Sequence, residues 1–325
     1  MPKVIDPFLL TLLGTVTLAS LVPVQGEAAG FVSAAATAAT MLLFFLHGAR
    51  LPRENLVAAL AHWRLHLTIL ALTFAAFPLL GLMMSRAMTG LLPDDLWMGV
   101  LFLCALPSTV QSSIAFTSIA QGNVPGAIAA AAASNMIGIG LTPIIVGALT
   151  HTHGGMVSVS GVWKILVQLL LPFGVGHGLR PWIGTAVTRH RRLLFFTDRS
   201  TILLAVYSAF SAAVVEGIWH QVHPLQLASL ACVCVILLGA VLLLARTLAR
   251  RLGFDRADEI AILFCGSKKS LISGVPMARV LFSGPTVGPI VLPIMIFHQM
   301  QLMVCAWLAR HYARQFARST VPAPT

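Results

Sequence analysis

Two adjacent lysines, Lys268 and Lys269, stand in the middle of a long apolar stretch, flanked by Ser267 and Ser270. About 160 residues earlier, another apolar stretch is interrupted by Pro107-Ser108-Thr109-Val110-Gln111-Ser112-Ser113. Hydroxyls and an amide can orient a polar ligand, and a buried ammonium can hold an anion or occupy the place of a bound cation. A lysine at the centre of a membrane helix costs about 2.5 to 3.5 kcal/mol on insertion scales, so it marks a functional site. The pair sits about a dozen residues from either end of its stretch, beyond easy snorkelling reach. Neighbouring helical residues point about 100° apart. One lysine is therefore expected to face a cavity and the other a polar group or the C-terminal end of a half-helix. No carboxylate is expected to pair with them, because Glu216 falls near an outer end and Asp258 and Glu259 at an inner mouth.

Ser134 and Asn135 end a run of alanines, whose small side chains allow close helix approach, and can reach the first cluster. The candidate substrate- or ion-binding residues are thus Ser108, Thr109, Gln111, Ser112, Ser113, Ser134, Asn135, Ser267, Lys268, Lys269 and Ser270. Pro107, Gly266, Gly274 and Pro276 are the expected helix breaks, since proline lacks an N–H and glycine relaxes a helix. Pro78, Pro143, Pro172 and Pro293 read as ordinary kinks. His47, His177 and His298 read as packing or interhelical hydrogen-bonding residues, while Gln168, Gln299 and Gln301 stay ambiguous. No metal site or catalytic residue is read, and the five cysteines, without CxxC spacing, read as packing residues.

These clusters need elements to hold them. The chain has 325 residues, 58% hydrophobic and 10% charged, with a mean hydropathy of +0.89. Ordinary soluble domains carry roughly 25% charged residues, so a soluble fold is excluded. A spanning helix needs about 20 apolar residues. Apolar runs near 7 to 24, 31 to 49, 65 to 85, 96 to 120 and 124 to 149, then 161 to 182, 199 to 219, 224 to 249, 257 to 282 and 285 to 309, predict ten spans. The fold class is an all-α polytopic membrane protein. Lys3 and Gly26-Glu27-Ala28 would also suit a signal peptide, but Asp6-Pro7 makes an unusual start and its loss would leave an unpaired half.

A formal charge of +11 would suggest nucleic acid in a soluble protein; in a membrane protein it is read by position. Sixteen basic residues, Arg189, Arg191 and Arg192 among them, fall on one side, against Arg86, Lys164 and Arg279 on the other. This places the chain in the cytoplasmic membrane with both termini inside, with the lipid bilayer as partner and no nucleic acid.

Ten spans divide into 1–153, holding spans 1 to 5, and 154–325, holding spans 6 to 10. An odd number per half inserts the second half upside down, the plan of inverted-repeat transporters. Both polar interruptions fall in the fourth span of their half. Each is followed by a short turn, Gln121-Gly122-Asn123-Val124-Pro125 in one and Ser283-Gly284-Pro285 in the other. Paired interruptions mark a ligand site because broken helices expose donors and acceptors.

At these breaks the chain resembles the bile acid/sodium symporter superfamily. The resemblance is to the bacterial sodium-bile-acid-symporter-like branch with a Gly-Ser-Lys-Lys-Ser stretch in the ninth span. It rests on Phe264-Cys265-Gly266-Ser267-Lys268-Lys269-Ser270-Leu271-Ile272-Ser273-Gly274-Val275-Pro276, and the ten-span layout extends it along nearly the whole chain. The resemblance implies broken helices 4 and 9 crossing in a core of spans 3 to 5 and 8 to 10, beside a panel of spans 1, 2, 6 and 7. Sodium-coupled members carry a Ser-Asn pair where this chain has Ser112 and Ser113, a Glu where it has Phe264, and a Gln where it has Lys268. The resemblance therefore implies a second sodium site replaced by lysine.

The expectation is secondary transport of a small organic anion by alternating access, with no cofactor, no enzymatic activity, and sodium or proton as coupling ion. Lys268 or Lys269 would attract the anion or occupy the cation position while exchanging a proton. A cation/proton antiporter is the alternative, weakened by the missing membrane carboxylate. From other classes, a Ser-Lys intramembrane enzyme lacks the usual motifs and geometry, and a non-catalytic regulator has only the lost sodium ligands in its favour.

Overall fold

Within hydrocarbon every backbone N–H and C=O must be satisfied by the protein itself, and an apolar chain does this most simply as helix. The computed structural model describes residues 7–49, 62–151, 166–215, 217, 224–282 and 286–320, and among them it is all helical with no strand. Lys3, Asp6, Arg50, Arg53, Lys164, Glu216, most of the loop at 150–160 and the turn Ser283-Gly284-Pro285 lie outside the described residues.

Helices α1 (Pro7–Leu21) and α2 (Gly26–Ala49) lead into α3 (Trp63–Ala71), which passes through a π-helical segment, Leu72–Ala76, into α4 (Phe77–Ala87). Then come α5 (Asp94–Ala105), α6 (Gln111–Ile119) and α7 (Val124–His151). A second π segment, Leu166–Leu170, opens α8 (Leu171–Arg189), followed by α9 (Arg191–Val215) and α10 (Pro224–Arg251). The chain closes with α11 (Arg256–Gly266), α12 (Leu271–Leu281) and α13 (Val287–Thr320).

Among the described residues, seven helical stretches are long and apolar enough to cross a membrane: Gly26–Ala49, Trp63–Ala87, Val124–Leu149, Leu194–Val215, Pro224–Arg251, Arg256–Leu281 and Val287–Phe316. The ten expected spans exceed this number for physical reasons. Helix α1 has 15 residues, the stretch expected at 96 to 120 is cut into α5 of 12 residues and α6 of 9, and the stretch expected at 161 to 182 begins outside the described residues.

Two packing groups stand out. Helices α1, α2, α8 and α9 pack on one another, and α3 to α7 with α10 to α13 form the other group. Helix α9 bridges them through α12 and α13. The α2–α8 contact is unusually close: a Cβ added at Gly48 would meet the Phe173 carbonyl, and one at Gly176 the Phe45 carbonyl. Small residues permit such backbone approach between membrane helices.

The breaks differ in part from expectation. Pro107 lies in the unwound segment between α5 and α6, and Gly266 is the last residue of α11. Gly274 and Pro276, expected as breaks, lie inside α12. Ser270 already ends the break as the N-cap of α12, its side chain accepting from Ser273 N. A Cβ at Gly274 would meet Leu106 Cδ1 at 2.5 Å, so this glycine serves packing.

Candidate functional site

Two half-helices end where α5 and α11 stop, and their last carbonyls have no partner within the helix. The segments joining the half-helices touch directly, Ser270 N donating to Pro107 O at 2.9 Å. Around this crossing, Ser108 Oγ donates to Cys265 O at 2.6 Å and Ser113 Oγ to Phe264 O at 3.0 Å. Ser267 Oγ turns back to Leu263 O at 2.5 Å. Ser134 Oγ accepts from Ser108 N at 3.0 Å, and Asn135 Nδ2 donates to Ser108 O at 2.8 Å.

Lys269 meets the other half-helix end. Its Nζ donates to Cys104 O, Leu106 O and Thr73 O, each at 2.7 Å, which uses all three donors of the ammonium. The Phe77 ring lies 4.1 Å from the same nitrogen. Thr73 O is available for a local reason. In the π segment, Phe77 N donates to Leu72 O, five residues back, so Thr73 O would take the next N–H, and that residue is Pro78. Proline has none to give. Gln301 holds the lysine's backbone from both sides, Oε1 accepting from Lys269 N and Nε2 donating to Lys269 O, both at 2.8 Å.

Lys268 points elsewhere. Its Nζ donates to Ser112 O at 2.9 Å and lies 3.9 Å from the centre of the Phe116 ring and 5.4 Å from that of Phe264. Both lysines are fully buried.

A cavity of about 410 Å³ opens between the two packing groups. On the crossing side it is lined by Thr109, Gln111, Ser112, Asn135, Ser270 and Ser273, and opposite by Phe44, His47, Phe173, Asp198, Arg199 and Ile202. His298 and Leu302 also line it. Of the expected site residues, Thr109, Gln111, Ser112, Asn135 and Ser270 line this space. Ser108, Ser113, Ser134, Ser267, Lys268 and Lys269 lie outside the lining and build the crossing behind it. The expectation that one lysine faces a cavity is thus corrected. Two adjacent ammoniums buried away from water each require acceptors, and here the carbonyls of broken helices supply them.

Several participants were not foreseen. Ser273, whose Oγ donates to Asn135 Oδ1 at 3.0 Å, follows the expected cluster by three residues. Pro78, read as a kink, frees a carbonyl for Lys269, and Gln301 braces the break. His47 and His298, read as packing or interhelical hydrogen-bonding residues, also line the cavity. Asp198 is a buried carboxylate, 3% exposed, where none was expected deep in the chain. Its position one residue before an expected span was the available signal. Glu259 is also buried, held by Arg246, Arg250 and Tyr312 at distances of 3.2 to 3.6 Å. Among the cysteines, Cys232 is exposed while Cys104, Cys234, Cys265 and Cys305 are buried.

Comparison with known proteins adds three findings. The sequence profile of the SBF-like CPA transporter family matches residues 6–314. The chain is 51% identical over 311 residues to an uncharacterized protein of Pseudomonas aeruginosa, covering 95% of this chain and 93% of that one. It is 50% identical over 313 residues to "Putative symporter YfeH" of Escherichia coli K12, covering 96% and 94%. More distantly, it is 27% identical over 269 residues to sodium/bile acid cotransporter 7 of Rattus norvegicus, covering 82% and 79%.

Proposed function

The chain belongs to the SBF-like CPA transporter family, and from that premise we propose that this membrane transporter carries a small organic anion across the cytoplasmic membrane by alternating access, with Lys269 in place of a bound sodium ion. The observation that carries the proposal is the ammonium held by three carbonyl oxygens, two at a half-helix end and one in the π segment beside it. Such an oxygen cage suits a monovalent cation, and here the chain supplies the cation covalently. A second cation about 4 Å away would meet roughly 4 kcal/mol of repulsion at an effective dielectric of 20.

On this reading 1–153 and 154–325 are two inverted repeats, each contributing one broken helix. Helices α3 to α7 and α10 to α13 form the moving core, and α1, α2, α8 and α9 the panel. Both termini are cytoplasmic. The cavity between core and panel holds the substrate, whose polar end is oriented by Thr109, Gln111, Ser112, Asn135 and Ser270. The name of one relative, sodium/bile acid cotransporter 7, supports a substrate of this kind. A cation/proton antiporter would need a carboxylate at the crossing. Among the described residues lining the cavity the carboxylate is Asp198, on the panel side.

Ion dependence tests the proposal directly. The melting temperature of the purified protein is expected to be the same in sodium, potassium and choline chloride. Uptake of radiolabelled taurocholate or 1-naphthalenesulfonate into proteoliposomes is expected to survive replacement of sodium by choline. Stabilisation specific to sodium, or uptake abolished in choline, would falsify it.

A further inference from the structure

With both lysines outside the lining, the charge a substrate meets in the cavity comes from the panel side. There α2 contributes His47, and α9 contributes Asp198 and Arg199. His47 Nε2 lies 3.8 Å from Asp198 Oδ1. The Arg199 guanidinium rests 3.9 Å from the centre of the Phe195 ring, which holds it in a defined position. Phe44 meets the His47 ring edge-on at 6.1 Å. The rest of this wall is apolar.

The surroundings of His47 limit which groups can respond to a proton there. Helix α8, packed on α2, brings His177, which is stacked on Phe173 with Nδ1 3.4 Å from Gly48 O, and Arg180 one turn further on. Helix α9 brings Asp198 and Arg199. The second π segment, also packed on α2, carries no ionisable side chain. Across the cavity α13 brings His298, whose Nδ1 lies 2.9 Å from Gln301 Nε2. An amide N–H can only donate, so in the neutral ring this nitrogen accepts from Gln301; protonating it would exchange that bond for one to Lys269 O, 3.5 Å away.

Histidine changes charge between about pH 5 and 8, whereas arginine stays charged. Protonating His47 beside Asp198 adds one positive charge to this wall, in which Arg199 also stands. We infer that His47 and Asp198 form a proton-operated pair that sets the affinity of the Arg199 wall for an amphipathic organic monoanion, so that anion and proton bind together. The inference rests on the reading of this cavity as the substrate site and assigns proton coupling to the panel. An anion that binds the protonated form more tightly raises proton affinity by the same factor, because linkage is reciprocal. The apolar body of the anion lies against Phe44, Phe173, Met136, Ile139 and Ile202, with its acid group at Arg199.

The test uses the full chain in lipid nanodiscs and two probes, tritiated taurocholate and 1-naphthalenesulfonate, whose sulfonates stay ionised throughout the range. Binding is measured near pH 6 and near pH 8 for the unaltered protein, His47→Gln, Asp198→Asn and Arg199→Gln. The unaltered protein is expected to bind about fivefold more tightly near pH 6, the effect of one added charge at the cavity wall. His47→Gln should bind weakly at both pH values. Asp198→Asn should bind more tightly than the unaltered protein at both pH values, because a negative charge has left the wall, and should keep a preference for the lower pH through His47. Arg199→Gln should be weak at both. His47→Asn replaces His47→Gln if the latter fails to fold. A pH dependence that persists without His47, or an Asp198→Asn variant that binds no more tightly than the unaltered protein near pH 8, overturns the inference, as does an unaltered protein that binds neither sulfonate. If the predicted binding pattern holds but neither probe enters proteoliposomes, the transport reading fails while the charge pair stands.

Discussion

At the end of α5, the carbonyls of Cys104 and Leu106 accept from an ammonium; at the end of α11, those of Leu263, Phe264 and Cys265 accept from the hydroxyls of Ser267, Ser113 and Ser108. Both are half-helix C-termini with partial negative charge. The donors are largely exchanged between the breaks. Lys269 belongs to the second break and serves the first, while Ser108 and Ser113 follow the first and serve the second. Each break therefore completes the other, which ties the crossing together. The difference lies in charge: one end holds a full positive charge in a closed cage, and the other only dipoles.

The largest expected effect follows from emptying the cage. Lys269→Met keeps much of the side-chain volume but leaves the three carbonyls without their donor. Each buried unsatisfied acceptor costs about 1 to 3 kcal/mol, so a loss of roughly 3 kcal/mol or more is expected. Thermal unfolding in detergent would register it as a lower melting temperature and poorer yield. Sodium is expected to restore part of the loss in this variant alone, by entering the vacated oxygens. A variant as stable as the unaltered protein, with no response to sodium, would break the comparison.

The hydroxyl-served end should be more forgiving. Ser108→Ala removes one neutral donor to Cys265 O, at a cost of about 1 to 2 kcal/mol, and should give no sodium response. Melting temperatures of the two variants, side by side in sodium and choline, would separate charge from hydrogen bonding. If Ser108→Ala proved as damaging as Lys269→Met, the contrast between the two ends would not hold.

The sequence showed the helical class and both interruptions because their signals are local: proline, glycine and polar residues in apolar runs. It also suggested a half-helix end as a partner for one lysine, since a buried ammonium has few other acceptors. It did not show that both lysines lie behind the cavity. That depends on how α11 and α12 rotate against α5 and α6, which follows from packing rather than pattern. Gly274 and Pro276 looked like breaks by composition, yet Ser270 had already restarted the helix. Asp198 escaped notice because a carboxylate at the edge of an apolar run looks exposed. The packing of α9 against α2 makes it buried. Pro78 was legible as a proline, but its effect depends on a π segment whose hydrogen bonds skip one residue.

Pro78 supplies the smallest and most selective test of the cage. Replacing it with alanine provides the N–H that Thr73 O lacks, so helix and lysine then compete for one carbonyl. In the otherwise unaltered protein the gained backbone bond and the weakened lysine contact nearly offset, and the net change should stay within about 1 kcal/mol. In the Lys269→Met background there is no competitor. The same substitution then satisfies a stranded carbonyl and should recover about 1 kcal/mol or more. The coupling between the two substitutions, read from a double-mutant cycle of unfolding free energies, isolates the Thr73 contact from everything else the lysine does. Equal effects of Pro78→Ala in the two backgrounds would mean that the proline does not open this carbonyl to Lys269. The ammonium would then be held by the α5 end alone.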